Sequence, residues 1–328
     1  MVRPLVSVAM ATYNGEKYLR EQIDSIITQT YSPIQIIVTD DCSSDGTIEI
    51  LEEYQNSHKL KFFQNEITLG YVKNFEKAIK LCSGEYIALA DQDDIWEPNK
   101  IDLLVQEIGT YSLIHSDALL IDSEGGLIEE SYSRFSKKMT NPKNFTQILL
   151  NGSVTGCTSL CKKTFLDSLL PFPEGLYVHD KWMGIFAYLN QGLVYTDKPL
   201  ISYRQHTSNS IGAQNPSITF IERVKRAIRS RGTINRGDLR ISIEKEKRLI
   251  ELVILHGRLT KENLEQAKKI GNFYKKVLMG KQLSSVATFF LKNIKSFEMG
   301  KPIAQKLYFF SLMLLIFFDN GHVSNKNN

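Results

Sequence analysis

The stretch 85-EYIALADQDDIWEP-98 runs from an apolar segment straight into three carboxylates within four positions, Asp91, Asp93 and Asp94. YIALA reads as a buried strand, and the acids that end it are open to two readings. In one they are turn and cap residues, with Asp94 ahead of a helix over WEPNKIDLLVQEI, because an Asp side chain accepts the orphan N–H groups of a helix start. In the other, carboxylates one residue apart at a strand end converge on a hard divalent cation, which neutralises a diphosphate.

Upstream, short apolar runs alternate with amphipathic ones: LVSVAMA then KYLREQIDSIITQ, IQIIVTD then GTIEILEEYQ, LKFFQ then YVKNFEKAIKLC, and then EYIALA. Strands alternating with helices predict an α/β fold, a Rossmann-like and mainly parallel sheet with helices on both faces. Ligands of such sheets gather at the carboxyl ends of strands. Polar residues stand there in this chain: Thr12, Tyr13 and Asn14 after the first strand, Asp40 and Asp41 after the second, Asp91 to Asp94 after the fourth. Downstream, SLIHSDALLIDSEGGLIEES predicts strands joined by a Gly-Gly turn, and the stretches to LVYTDKPLISYRQH complete a mixed second half of the same domain.

Charge divides the chain. Residues 1–215 hold 18 Lys+Arg against 27 Asp+Glu, net −9, and the remainder 22 against 9, net +13. After Pro216 the pattern is helical and basic, and residues 307–318 are all apolar or aromatic except Ser311. Twelve residues fall short of the roughly 20 needed to span a bilayer. That segment is expected to be a helix buried on its own domain or on a twin subunit in a homo-oligomer, or one lying on an anionic membrane surface beside the basic residues. Nucleic acid is not an expected partner, since no basic stretch is interleaved with stacking aromatics. Cys42, Cys82, Cys157 and Cys161 lack CxxC spacing, which points to reduced, mostly buried thiols and a cytoplasmic location. The N-terminus reads as a first strand rather than a signal peptide, so the sequons at Asn144 and Asn151 are not expected to act as glycan acceptors.

Taken in order, VSVAMATYNGEKYLREQIDSI, IIVTDDCSSDGTIEIL, NEITLGYVKNFEKAI, GEYIALADQDDIW, VTGCTSL and HDKW resemble the family 2 glycosyltransferases of the GT-A fold, over roughly residues 4–212. LADQDDIW and YRQHTSNSIG are most similar to bacterial transferases of cell-surface polysaccharide assembly, including rhamnosyltransferases. The resemblance implies a GT-A catalytic domain over 1–212 and a basic, mainly helical region over 213–328 for membrane or oligomer association. It implies inverting, metal-dependent transfer of one sugar from a nucleotide-diphosphate donor, dTDP-L-rhamnose or a UDP-sugar, to a saccharide acceptor, lipid-linked, at the inner face of the cell membrane.

By the family pattern Thr12, Tyr13 and Asn14 lie against the nucleotide, and Asp40 or Asp41 accepts the N3–H of a pyrimidine ring. Asp91 and Asp93 match the D-x-D element: Asp93 coordinates Mg²⁺ or Mn²⁺ and Asp91 helps through ribose, water or metal, joined by His206 near the diphosphate. Asp94 is left to capping. Asp180 occupies the position of the general base at a helix start, with His179 departing from the acid usually found before it. Thr155, Gly156, Cys157 and His179 mark the acceptor region. Arg204 is read as a phosphate contact or an ion-pair partner, and Trp96 and Trp182 as core.

Three rivals are set against this reading. A processive synthase is expected to show QxxRW and membrane spans, which the sequence lacks. A dinucleotide oxidoreductase would need GxGxxG in the first turn, where ATYNGEKY stands. A catalytically silent nucleotide-sugar-binding scaffold is the alternative, and such a protein could lose Asp93 or Asp180 without penalty.

Overall fold

The computed structural model describes residues 3–136, 140–206 and 236–294. The first strands follow the apolar runs: β1 (Val6–Thr12), β2 (Ile34–Asp40), β3 (Lys61–Gln64) and β4 (Tyr86–Ala90), separated by α1 (Glu16–Ile27), α2 (Thr47–Asn56) and α3 (Tyr71–Leu81). β1 is buried almost throughout, as a central parallel strand covered on both faces must be. α1 buries Leu19, Ile23 and Ile26, and α3 buries Val72, Phe75 and Ile79, the three-to-four spacing of one helix face.

Next come β5 (Ile95–Trp96), α4 (Lys100–Ile108), β6 (Leu113–Ile121), β7 (Leu127–Glu129), α5 (Tyr132–Ser136), α6 (Phe145–Asn151), β8 (Ser159–Lys162), α7 (Lys163–Asp167), α8 (His179–Leu189) and β9 (Leu193–Arg204). The described strands form one sheet in the order β3-β2-β1-β4-β8-β6-β9-β5, with β7 on β6. β3, β2, β1 and β4 are parallel, β8 is antiparallel to both β4 and β6, and β9 is parallel to β6. Strands β1–β4, β6 and β9 therefore point one way, which makes the sheet mainly parallel. Strand order runs outward from β1 to β3 and then reverses to β4, so right-handed crossovers put α1 and α2 on one face and α3 on the other. The ends of β1 and β4 adjoin at this reversal, with Met10 in register with Ala90.

The Gly-Gly turn between β6 and β7 forms as the sequence predicts, with Gly125 at φ +86. The helix expected from residue 96 does not start there. A residue before proline is driven to extended backbone, so Ile95 and Trp96 pair with β9, the Glu97 N–H donates to the Leu200 carbonyl at 3.1 Å, and a turn at Pro98-Asn99 leads into α4 at Lys100. Its N-cap position is Asn99. Asp94 is thus not a helix cap, a correction to the sequence reading. Trp96 and Trp182 are buried in the core as expected, and so are Cys82, Cys157 and Cys161.

The chain divides into two compact units that are not contiguous in sequence. The first takes the residues up to Arg134, Ser153–Glu174 and the chain from Val178 through β9; the second takes Phe135–Gly152, Gly175–Tyr177 and the C-terminal helices. Those helices are α9 (Arg236–His256), α10 (Lys261–Met279) and α11 (Leu283–Asn293). α10 opens on the Thr260 side chain, which accepts the Asn263 N–H, and closes on Gly280 at φ +62, while Ala267, Ile270, Phe273, Tyr274 and Val277 form its buried stripe. α11 buries Val286 and Phe290, and Phe289 stacks on Phe273 with ring centroids 4.7 Å apart. Among the described residues no helix is long and apolar enough to cross a membrane. The apolar segment 307–318 and most of the basic stretch before α9 lie outside the described residues.

Candidate active site

Three loops of the first unit build the site at the carboxyl ends of β1, β2 and β4. After β1, Asn14 takes a left-handed turn at φ +48, a conformation Asn tolerates better than most residues. Its N–H donates to Ser43 Oγ at 2.9 Å and its Oδ1 accepts the Ser44 N–H at 2.8 Å, which ties the first loop to the second. Tyr13, exposed at the tip, is held on both sides of its backbone by one side chain: Gln92 Oε1 accepts the Tyr13 N–H at 2.8 Å and Gln92 Nε2 donates to the Tyr13 carbonyl at 3.0 Å. The first loop is therefore fastened to the acidic loop as well.

Asp40 is completely buried. Its Oδ1 accepts from Thr12 Oγ1 at 2.9 Å and from Ser43 Oγ, and its Oδ2 from the Ser43 N–H at 2.9 Å. Its carboxylate holds the turn together. Asp41 faces the next loop, its Oδ1 accepting from Asn65 Nδ2 and the Leu69 N–H, its Oδ2 from the Gly70 N–H.

The acidic loop is suspended from β9. Arg204 donates its backbone N–H to Asp94 Oδ1 at 3.1 Å and its Nε–H to the Asp93 carbonyl at 2.8 Å. Its guanidinium pairs with Glu21 at 2.5 Å and lies over the Tyr18 ring. Arg204 is an ion-pair partner and a clamp. Two residues on, His206 Nε2 lies 2.8 Å from Asp93 Oδ2, and its ring meets Tyr18 at 5.0 Å.

Ligating atoms of Asp91, Asp94 and Cys157 lie within 4.8 Å of one another. Lys100, fully buried, donates to the Cys157 carbonyl at 2.6 Å with its ammonium 3.5 Å from the centre of the Trp96 ring. Burial first, then the Asp93 charge, pushes the Asp91 carboxyl up to about 7 and Asp94 well above the carboxylate range. Burial pulls Lys100 down to about 7 against the attraction of Asp94 and Asp91.

The turn 155–157 connects this cluster to α8. Thr155 precedes a single 3₁₀ turn, and a Cβ at Gly156 would stand 3.4 Å from His179 Nε2 and 3.7 Å from Asp180 Cβ, so Gly156 lies directly against both residues. Asp180 is half-buried in the first turn of α8, whose N-cap position is Val178. His179 is buried among Phe75, Tyr71 and Phe172, with ring centroids at 4.5, 6.0 and 6.2 Å. Burial lowers its pKa and keeps the imidazole neutral. Burial and then the Asp180 charge push the Tyr71 hydroxyl up to about 12, and burial, with Cys157 and then Asp180, raises Tyr132 to about 12 as well.

The fold thus pairs Asp93 with His206, gathers Asp91 with Asp94 and Cys157, and sets Gly156 beside His179 and Asp180, whose charge reaches Asp91. Sequence reasoning missed Gln92, Lys100 and the clamping role of Arg204. Lys100 carried a signal: it occupies the apolar stripe of α4 beside Ile101, Leu104 and Ile108, where a solvated lysine has no place. The residues present fit a divalent cation. Asp91, Asp94 and Cys157 bring ligating atoms within 4.8 Å of one another, Asp94 Oδ2 is buried without a hydrogen-bond partner, and oxygen-rich groups of this kind suit a hard divalent ion.

Residues 7–170 match the family described as Glycosyl transferase family 2. A dTDP-rhamnosyl transferase of Shigella flexneri is 32% identical over 233 residues, 66% of this chain and 77% of that protein. An uncharacterized glycosyltransferase of Methanocaldococcus jannaschii is 39% identical over 136 residues, 40% of this chain and 47% of that protein. Among solved structures, S. aureus TarS 1-349 in complex with UDP-GlcNAc has the same fold, with a TM-score of 0.56 at 18% identity over 90% of this chain and 81% of that one. With the family's pattern matched over half its length and a GT-A sheet presenting the acidic loop at its reversal point, this chain belongs to glycosyl transferase family 2 and is a glycosyltransferase.

Proposed function

We propose that the protein transfers a single sugar, with inversion, from a pyrimidine nucleotide-diphosphate donor to a saccharide acceptor in cell-surface polysaccharide assembly. The observation that carries this reading is that Asp93 meets His206 while Asp91, gathered with Cys157, feels the charge of Asp180 beside Gly156. Donor and acceptor ends then face each other across Gly156. The Shigella flexneri relative, named a dTDP-rhamnosyl transferase, favours dTDP-L-rhamnose, with a UDP-sugar as the next choice.

In this reading Thr12, Tyr13 and Asn14 flank the nucleotide. Asp41 takes the N3–H of the base, because it keeps 4% exposure whereas Asp40 has none. Asp91, Asp93 and His206 hold Mg²⁺ or Mn²⁺. When bound, that ion screens the diphosphate and stabilises it as it departs. Asp180 takes the proton of the acceptor hydroxyl while that oxygen bonds to the anomeric carbon; the bond to the diphosphate breaks on the opposite face and its electron pair leaves with the phosphate. Thr155, Gly156, Cys157 and the buried His179 shape the acceptor side. Residues 1–212 act as the catalytic domain and 213–328 associate with an anionic membrane or a second copy at the cytoplasmic face, where a lipid-linked acceptor is met.

The test is a thermal-shift screen of UDP, dTDP, GDP, CDP and ADP, each with and without Mn²⁺, on the wild type and Asp93→Ala, since a ligand of the native state raises its apparent stability. A pyrimidine-selective, metal-dependent shift absent from the variant is expected. No shift with any nucleotide would overturn the donor reading in favour of a silent scaffold.

A further inference from the structure

β9 ends at Arg204, so strand pairing does not fix the ring of His206, two positions further on. The contact of its Nε2 with Asp93 Oδ2 at 2.8 Å places one ring atom. A single contact of that kind leaves the plane of the imidazole open to rotation. A group that is to meet a metal ion has to be held within roughly 0.5 Å and 10–20° of the productive geometry, so a second contact on the ring is required.

Tyr18 supplies it. Its ring lies 5.0 Å from the His206 ring, centroid to centroid, with 32° between the planes, and the Arg204 guanidinium carbon stands 4.6 Å from the same Tyr18 centroid. Rings at this separation attract, and a cation over a ring face adds to the hold. Tyr18 is carried by α1, which is anchored through the buried Leu19, Ile23 and Ile26. Glu21, three residues on and on the same face of the helix, pairs with Arg204 at 2.5 Å. One face of α1 therefore grips the end of β9 twice, by charge at 204 and by a ring at 204 and 206. Arg204 is also fastened to the acidic loop through the Asp93 carbonyl and the Asp94 carboxylate. What the Tyr18 ring adds to that clamp is the contact with His206.

We propose that Tyr18 is a positioning residue for sugar transfer: its ring fixes the plane of His206 and keeps Nε2 beside Asp93 Oδ2. The inference rests on the reading of Asp93 and His206 as metal ligands.

The experiment is a Mn²⁺ titration of the full chain followed by electron paramagnetic resonance, with dTDP and, separately, UDP present at saturation. Tyr18→Leu and Tyr18→Met remove the ring and keep a helix-forming side chain, while Tyr18→Phe keeps the ring. The ring-free variants are expected to bind Mn²⁺ about tenfold more weakly and Tyr18→Phe within about twofold of the wild type, since groups that orient a metal ligand are typically worth about 10- to 100-fold in affinity. Each variant is then made in a His206→Ala chain, where removing the ring should cost less than about twofold, because residues that act through one another are not additive. An equal loss with and without His206 would assign the effect to Arg204 or to packing and overturn the proposal, as would unchanged affinity in both ring-free variants. A wild type that binds no Mn²⁺ with either nucleotide would overturn the metal reading and this inference with it, whereas a wild type that binds alongside indifferent ring-free variants would overturn the positioning role alone.

Discussion

His206 Nε2 stands 2.8 Å from Asp93 Oδ2, although 113 positions separate the two residues. The carboxylate reaches the site from β4 and the imidazole from the end of β9. If both meet one cation, His206→Ala should weaken Mn²⁺ binding by roughly 10- to 100-fold, the usual effect of removing a ligand or its close support. Electron paramagnetic resonance of free Mn²⁺ during titration measures this, and unchanged affinity would leave His206 as a hydrogen-bond partner of Asp93 only.

Asp180→Asn keeps the shape of the first turn of α8 and removes the proton acceptor. Turnover is expected to fall by about 10² or more, with the donor KM unchanged. Initial rates over a donor series decide it; near-normal turnover would move the base elsewhere.

Gln92 grips the Tyr13 backbone from both sides, and the grip depends on a missing side chain. A Cβ on Gly15 would stand 2.4 Å from Gln92 Oε1. Gly15→Ala should therefore displace the amide and loosen the loop against the nucleotide, raising the donor KM severalfold while kcat changes little. Loss of the two hydrogen bonds would cost about 1–2 kcal/mol of stability by chemical denaturation.

Lys100 sets a dependence of stability on pH. Its folded-state pKa is depressed to about 7 from an ordinary 10.5. Between those values the unfolded chain binds more protons than the folded one, so stability rises with pH across this window. The cost of burying the ammonium is full below about 7 and is relieved towards 10.5. In Lys100→Met this contribution is absent, so the difference in Tm between wild type and variant should shift in favour of the wild type from pH 7 to pH 10. A constant difference would refute the depressed pKa and show that Lys100 keeps its proton across this range.

Much of the fold was legible because periodicity records which residues are covered. The expected second strand, residues 34–40, coincides with β2, and the amphipathic runs became α1, α2 and α3 at nearly their expected bounds. The Gly-Gly turn was legible because few other residues accept φ near +86. Periodicity does not record partners. The loss of Asp94 from its capping role, the burial of Asp40 in its own turn and the hold of Arg204 on the acidic loop all follow from pairings that no local pattern encodes. The helix start at Lys100 was legible in Pro98, whose effect on Glu97 outweighs the helical look of the surrounding apolar residues.

The hold of Arg204 on Asp93 and Asp94 bears on where this protein can be cut. The match to the family ends at residue 170, yet two anchors of the acidic loop sit on Arg204 and a third contact comes from His206. A fragment trimmed to the matched residues would keep every carboxylate of the signature and lose the backbone that aims them. On the ribosome, likewise, the nascent chain carries its acidic loop unmoored until more than a hundred further residues have been added.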